Sequence, residues 1–135
     1  MKRIFLLALA IACGASPAAD WRSLGKSANG SEMFLDTASV RVSGHIRRAW
    51  LKRVPPPDTG MESGTHASKW ISTPVMRYAY DCSEANAMLE AFAVYYADGT
   101  HYAEPVPDKS WRPVVPESEH ETALHLVCTQ KSAAH

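Results

Sequence analysis

Alternating apolar and polar residues along the middle of the chain predict a β-sheet. The clearest alternation lies in residues 69–82, where one face carries Met76, Tyr78, Tyr80 and Cys82. Residues 87–96 are apolar apart from Glu90 and predict a central strand. Asn29 and Gly30 predict a hairpin turn, because this dipeptide readily adopts the positive φ that such turns need. Further strands are predicted at residues 21–26, 32–35, 40–42, 45–54 and 100–106.

A single helix is predicted near the C-terminal end of the sequence. Ser118 and Glu121 match a capping box, in which the Ser hydroxyl accepts from the third helical amide and the Glu reaches back to the Ser amide. The apolar residues that follow share one stripe at helical spacing: Ala123, Leu124, Val127 and Cys128. The whole pattern therefore predicts an α+β fold, with one helix across one sheet.

Residues 1–19 predict an export signal. Lys2 and Arg3 precede an apolar stretch, residues 4–12, that is too short to span a bilayer and is followed by small residues. Removal of the signal leaves residues 20–135 as one small domain. The alternative is a lipoprotein signal, in which Cys13 becomes the acylated first residue and anchors the chain by its lipid.

Loss of the signal changes both the cysteine count and the charge. Cys82 and Cys128 remain, and an even number of cysteines in an exported chain predicts a disulfide between them. The sequence has 14 basic and 14 acidic residues, so losing Lys2 and Arg3 leaves 12 against 14, a net charge of −2. A charge so close to neutral argues against a nucleic-acid-binding protein.

The histidines do not predict a metal site. His120 and His125 lie in the predicted helix, but five steps of about 100° turn their rings about 140° apart. Two such rings cannot bind one ion, so we expect no metal. The sequence contains no nucleophile elbow and no phosphate-binding loop. We therefore expect a protein without enzyme activity and without a cofactor.

Four basic residues cluster in the strand predicted at residues 45–54: Arg47, Arg48, Lys52 and Arg53. Alternation places Arg48 and Lys52 on one face of the strand and the other two on the opposite face. This arrangement favours protection of a sheet edge or a solvated sheet face. The alternative is a patch that binds a polyanion.

The order of these signals resembles the bacterial surface-adhesin protein E family over nearly all of the chain after the signal. The matching residues are Trp21, Leu24–Gly25, Phe34–Asp36, Ser39–Val40, Gly44, Trp50, Tyr80–Cys82, Tyr95–Gly99, Trp111–Ser118 and Cys128. Family members commonly have Gly-Ser where this chain has Glu117 and Ser118, a difference that keeps the helix cap. The resemblance implies a single antiparallel sheet of about six strands, with the C-terminal helix held on one face by the disulfide. It also implies an exported protein of a Gram-negative cell envelope.

Three functions are open at this point. The resemblance implies an adhesin-like binding module whose ligand is a host extracellular-matrix or serum protein. One alternative is a periplasmic accessory or inhibitor protein of an envelope-active enzyme, and another is a carrier of a small ligand between sheet and helix. We expect the protein in the periplasm, in the outer membrane or at the cell surface, as a monomer or a homodimer.

The candidate binding surface is the predicted loop at residues 55–68 together with its neighbours. Prolines restrict this loop and glycines leave it adaptable, a mixture suited to contact with a partner. Arg47, Arg53 and Trp70 lie near the loop in sequence, and arginine and tryptophan are enriched at interface hot spots. The alternative is a loop that only connects two strands and has no role in binding.

Overall fold

The computed structural model describes residues 18–56, 61–62 and 70–131, and of residues 61–62 and 70–72 only the backbone. Most of the predicted signal and of the predicted loop at 55–68 lies outside the described residues. The strands are β1 (Trp21–Lys26), β2 (Glu32–Asp36), β3 (Arg41–Ser43), β4 (Ile46–Val54), β5 (Met61–Glu62), β6 (Trp70–Asp81), β7 (Asn86–Tyr96), β8 (His101–Glu104) and β9 (Arg112–Pro113). The helix α1 spans Glu119–Thr129, and a 3₁₀ turn spans Thr37–Ser39.

The strands form one antiparallel sheet in the order β1-β2-β4-β6-β7-β8. Three short strands extend it, because β3 pairs with β4, β5 with β6 and β9 with β7. The sheet of six antiparallel strands that the family resemblance implied is therefore confirmed. The long strands β4, β6 and β7 lie together, and the shorter strands form the margins.

Strand register divides the sheet into two faces, which we call the helix face and the open face. Leu51 lies opposite Met76 on the helix face, and Trp50 lies opposite Arg77 on the open face. Because successive side chains of a strand point to opposite sides, these two pairs fix the faces of their neighbours. The predicted apolar face of β6 is thus the helix face.

The helix face carries the main hydrophobic core. Its buried members come from β1, β2, β4, β6 and α1: Leu24, Met33, Leu35, Ala49, Leu51, Tyr80, Ala123 and Val127. Leu51 and Val127 have no exposed surface, and burying a side chain of this size stabilises the fold by about 1.5–3 kcal/mol. The predicted helical stripe is confirmed, since Ala123 is also buried and Leu124 and Cys128 pack against the same cluster.

A disulfide joins the helix to the sheet. Cys82 and Cys128, 46 positions apart, are bonded as predicted. Cys82 directly follows β6, and its amide donates to the carbonyl oxygen of His45 at 3.0 Å. This hydrogen bond fixes the Cys82 end of the disulfide beside the start of β4. In the part of the chain that the structure describes, no helix is long and apolar enough to cross a membrane.

The start of the helix departs in one detail from the predicted capping box. Ser118 is the N-cap, and its Oγ accepts from the amide of Glu121 at 3.2 Å, as predicted. The Glu121 carboxylate, however, accepts from the amide of Glu117 at 2.8 Å, so the predicted bond to the Ser118 amide is wrong. Glu117 has a φ of 61°, in the left-handed region. Glycine adopts this region without steric cost, which accounts for the Gly-Ser common in the resembling family.

A bulge in β7 sets the position of Glu90. Leu89 pairs with Tyr78 and Ala91 pairs with Arg77, so Glu90 is the extra residue between two adjacent pairs. Bulges of this kind re-aim a side chain relative to regular alternation. The Glu90 carboxylate consequently lies on the open face, where its side chain is 11% exposed.

Candidate functional site

The two arginines predicted to bind a partner lie on the helix face. Arg53 Nη2 lies 2.7 Å from a carboxylate oxygen of Glu119, and its Nη1 donates to Ser31 Oγ at 3.2 Å. Arg47 Nη1 donates to the carbonyl oxygen of Gly44 at 2.7 Å. Both guanidinium groups therefore bind other parts of the protein: Arg53 ties β4 to the start of α1, and Arg47 closes the turn before β4.

The third predicted residue, Trp70, is placed only through its backbone, as the first residue of β6. Its side chain lies outside the described residues, as does most of the loop at 55–68. The structure thus puts Arg47 and Arg53 on one face of β4 without showing a contact of either with Trp70. Their role in binding stays a prediction.

A lysine packed against two aromatic rings occupies one end of the open face. Lys52 Nζ lies 4.3 Å from the ring centroid of Trp21 and 5.4 Å from that of Phe34. Phe34 is directly opposite Lys52 in the register of β2 and β4. Attraction between an ammonium and a ring is worth about 0.5–1 kcal/mol at exposed sites. The three side chains present apolar area and a positive charge side by side.

Two arginines share one carboxylate at the centre of the open face. Arg48 Nε donates to both Glu90 oxygens, at 2.9 and 3.2 Å, and Arg77 Nε donates to one of them at 3.1 Å. The Arg77 guanidinium also lies 5.6 Å from the ring centroid of Trp50. The Arg48 and Arg77 side chains are 40% and 43% exposed. One negative charge thus balances two positive charges, which leaves a net positive centre.

A groove of about 260 Å³ lies between this centre and β3. Its lining includes Ser39, Arg41, Arg48, Trp50 and Arg77. Arg41 lies directly opposite Arg48 in the register of β3 and β4. Three arginines therefore line one small groove, which we call the arginine groove.

Sequence reasoning did not identify Arg41, Arg77 and Glu90 as parts of one surface. Alternation indicates that Arg77 faces away from the apolar side of β6, and Glu90 is the single charge in an apolar strand. These signals suggest that both side chains avoid the core. They do not show that the two meet, because alternation gives no information on strand order.

A second cavity, of about 450 Å³, lies on the helix face beside the start of α1. Its lining includes Tyr78, Leu89, Arg112, Val115 and His120. Hydrogen bonds from Ser110 and Arg112 hold the pKa of Asp108, at its rim, below the usual range. This cavity lies between sheet and helix, where the predicted small-ligand carrier would hold its ligand.

The two helix histidines have different surroundings. His120 Nδ1 lies 2.9 Å from the hydroxyl of the buried Tyr80, and its ring packs 4.5 Å from that of Tyr78. Burial lowers the pKa of His120 from its usual 6.5 and raises the pKa of Tyr80. A neutral His120 imidazole can accept a hydrogen bond from the Tyr80 hydroxyl. The second histidine, His125, is exposed to solvent. No group of three or more potential metal-binding side chains occurs among the described residues.

Comparison with known proteins gives one family and one fold. A family model described as Surface-adhesin protein E matches residues 21–129. A structure of Haemophilus influenzae protein E has 16% sequence identity, covers 83% of this chain and 89% of that chain, and has a TM-score of 0.62. A crystal structure of protein E from non-typeable Haemophilus influenzae has 15% identity, covers 84% of this chain and 80% of that chain, and has a TM-score of 0.60. No curated protein matches the chain. At these identities the structural likeness shows a shared fold, and a shared fold does not establish a ligand.

Proposed function

This chain belongs to the surface-adhesin protein E family, and from that premise we propose that it is an exported, non-enzymatic adhesin that binds a host extracellular-matrix or serum protein. Family membership supports adhesion in general terms. The open face supports a location for the binding surface, because α1 packs on the other face of the sheet. The choice of a matrix or serum protein as ligand is the part that experiment must test.

The observation that carries the proposal is the composition of the open face. Aromatic and cationic side chains from four neighbouring strands contact one another on this face: Trp21, Phe34, Lys52, Trp50 and Arg77. Tryptophan and arginine are the residues most enriched at interface hot spots, since each combines a large contact area with polar bonding capacity. An aromatic and cationic surface of this kind suits a matrix or serum protein whose contacting region is negatively charged, whether through its side chains or through an attached group.

The disulfide supports export. Disulfides form and persist in oxidising compartments such as the periplasm and the cell surface, and Cys82 and Cys128 are joined. We propose that the mature chain reaches the cell surface. The periplasmic accessory or inhibitor protein is the competing hypothesis, and it requires a pool that remains inside the outer membrane.

The experiment compares binding of the mature domain, residues 20–135, with that of two variants on an immobilised basement-membrane extract and on immobilised serum proteins. Lys52→Gln combined with Trp21→Ala removes one end of the open face. We expect its affinity to fall at least about tenfold, equivalent to about 1.4 kcal/mol. Arg112→Gln is the matched control, because this 75% exposed arginine lies on the helix face.

Thermal melts of all three proteins check that the fold is kept. Equal binding by the open-face variant and the unchanged domain would remove this face as the binding surface. Antibody labelling of intact and permeabilised cells locates the protein. Labelling that needs permeabilisation would favour the periplasmic alternative over adhesion.

A further inference from the structure

The arginine groove concentrates positive charge in a way that costs stability. Arg41 and Arg48 are directly opposite on neighbouring antiparallel strands, and like charges in this position destabilise a sheet. Arg77, on the strand at the other side of β4, brings a third guanidinium to the same groove. Among the described residues, Glu90 is the carboxylate bonded to this cluster. Within the part of the chain that the structure describes, two of the three positive charges therefore have no carboxylate of their own.

The three guanidinium groups also keep hydrogen-bond donors available. A guanidinium carries five N–H groups. Glu90 engages Nε of Arg48 and Nε of Arg77, and Arg41 Nη1 donates to the carbonyl oxygens of Ala38 and Val40 at 3.1 Å each. The Nη groups of Arg48 and Arg77 have no acceptor among the hydrogen bonds of the described residues. Because N–H donors of three arginines are available, a ligand that accepts several hydrogen bonds would fit this groove.

The positive charge continues along the strand beyond the groove. Lys52 lies on the same face of β4 as Arg48 and four residues further on, a distance of about 13 Å at the rise of a strand. Trp50 lies between them, with the Arg77 guanidinium over its ring. The open face thus presents a row of cations separated by a flat aromatic side chain. Such a row matches a linear polyanion whose charges recur at short intervals.

We propose that the arginine groove binds a sulfate group of a sulfated glycan chain, of the kind that extracellular-matrix proteins carry, and that Lys52 contacts a further anionic group of the same chain. This inference rests on the proposed function and names the chemical class of its ligand. A sulfate ester has three terminal oxygens, so it can accept from three guanidinium groups at once. A carboxylate has two oxygens, and two arginines already engage both oxygens of Glu90. The surface therefore fits a sulfated glycan better than an acidic peptide.

Heparin is the test molecule, and its binding to the mature domain is measured by titration calorimetry. The main variant is Arg48→Gln/Arg77→Gln/Glu90→Gln, which removes the mostly buried carboxylate together with its two arginine partners, so that Glu90 is not left as an unpaired charge. We expect at least about a tenfold loss of affinity. Arg41→Gln alone, which leaves Glu90 and its bonds intact, should weaken binding several-fold. Arg112→Gln, on the helix face, should bind as the unchanged domain does.

Salt dependence adds a second measurement. The Debye screening length falls from about 10 Å at 0.1 M salt to about 3 Å at 1 M salt. The affinity of the unchanged domain for heparin should therefore fall steeply as salt is added. The affinity of the triple variant, which has fewer cations, should fall less steeply. If Arg41→Gln and the triple variant, both folded by thermal melt, bind heparin like the unchanged domain, the proposal is wrong. Poly-glutamate and heparin are also compared as competitors at equal charge concentration. If poly-glutamate competes as well as heparin does, the choice of a sulfated ligand is wrong.

The failure of this inference can be told apart from the failure of the proposed function. The basement-membrane extract is tested before and after enzymatic removal of its sulfated glycans. Binding that disappears after removal supports the inference. Binding that is unchanged overturns the inference and leaves adhesion to a matrix protein in place. Absence of binding to the untreated extract, to serum proteins and to heparin would overturn both.

Discussion

Strand β4 presents the same kind of residue to two different environments. On the helix face Arg53 binds Glu119 at the start of α1, and Arg47 binds the turn before the strand. On the open face Arg48 shares one carboxylate with a second arginine, and Lys52 lies over two aromatic rings. One cluster of basic residues in sequence thus meets two different environments. The cations on the helix face bind other parts of the protein, and those on the open face are the ones that we propose contact a ligand.

The largest expected effect concerns the disulfide that holds the helix over its face. In the chain-entropy model, a cross-link that closes a loop of this length stabilises by about 4 kcal/mol. Replacing Cys82 and Cys128 with serine should lower the free energy of unfolding by that order, measured by urea denaturation. A double variant as stable as the unchanged domain would mean that packing of α1 alone holds the helix face together.

The comparison of the two faces is tested most directly by neighbouring residues, Arg53 and Lys52. Arg53→Gln removes the ion pair with Glu119, whose two side chains are 31% and 21% exposed, and should cost about 1 kcal/mol of stability. Lys52→Gln removes the contacts of the ammonium with the Trp21 and Phe34 rings, which should cost about 0.5–1 kcal/mol of stability, and it should weaken binding to the basement-membrane extract. Denaturation curves and binding isotherms of both variants provide the measurement. Weaker binding by Arg53→Gln alone would place the binding surface around Arg53, one of the residues that the sequence predicted to bind a partner.

The backbone at Glu117 offers a smaller test of the helix face. A non-glycine residue in the left-handed region costs about 1–2 kcal/mol, and Glu117 has a φ of 61°. Glu117→Gly should therefore be more stable than Glu117→Ala by about 1 kcal/mol. Both variants lose the same carboxylate, so the difference in their melting temperatures isolates the backbone. Equal melting temperatures would show that the turn before α1 relaxes to avoid the strain.

The smallest expected effect is a dependence of stability on pH. Burial, assisted by the charge of Arg53 and opposed by that of Glu119, lowers the pKa of His120 below 6.5 in the folded protein. The unfolded chain then binds the proton more readily, so stability should fall as the pH drops below 6.5. His120→Gln should flatten this part of the profile, and His125→Gln, at the exposed position, should not. Melting temperatures between about pH 5 and 7.5 test it, and equal slopes in all three proteins would contradict it.

Local elements and the division of β4 into two faces can be predicted from neighbouring residues alone. The period of two in a strand separates Arg48 and Lys52 from Arg47 and Arg53 whatever the rest of the fold does. The helix follows from Ser118 and the apolar stripe after it. The disulfide was predicted from the two cysteines that lie outside the predicted export signal. Each of these conclusions depends on residues close together in sequence or on a count.

The meetings between charged side chains, by contrast, depend on the tertiary structure. Glu90 binds Arg48 across 42 positions of sequence, and this contact requires both the strand order β4-β6-β7 and the bulge in β7. Arg41 joins the same groove because β3 pairs back on β4 beyond the end of β2. Side-chain alternation gives each residue a face but no neighbour on the adjoining strand. Neighbours are set by strand pairing, which depends on the packing of the whole sheet.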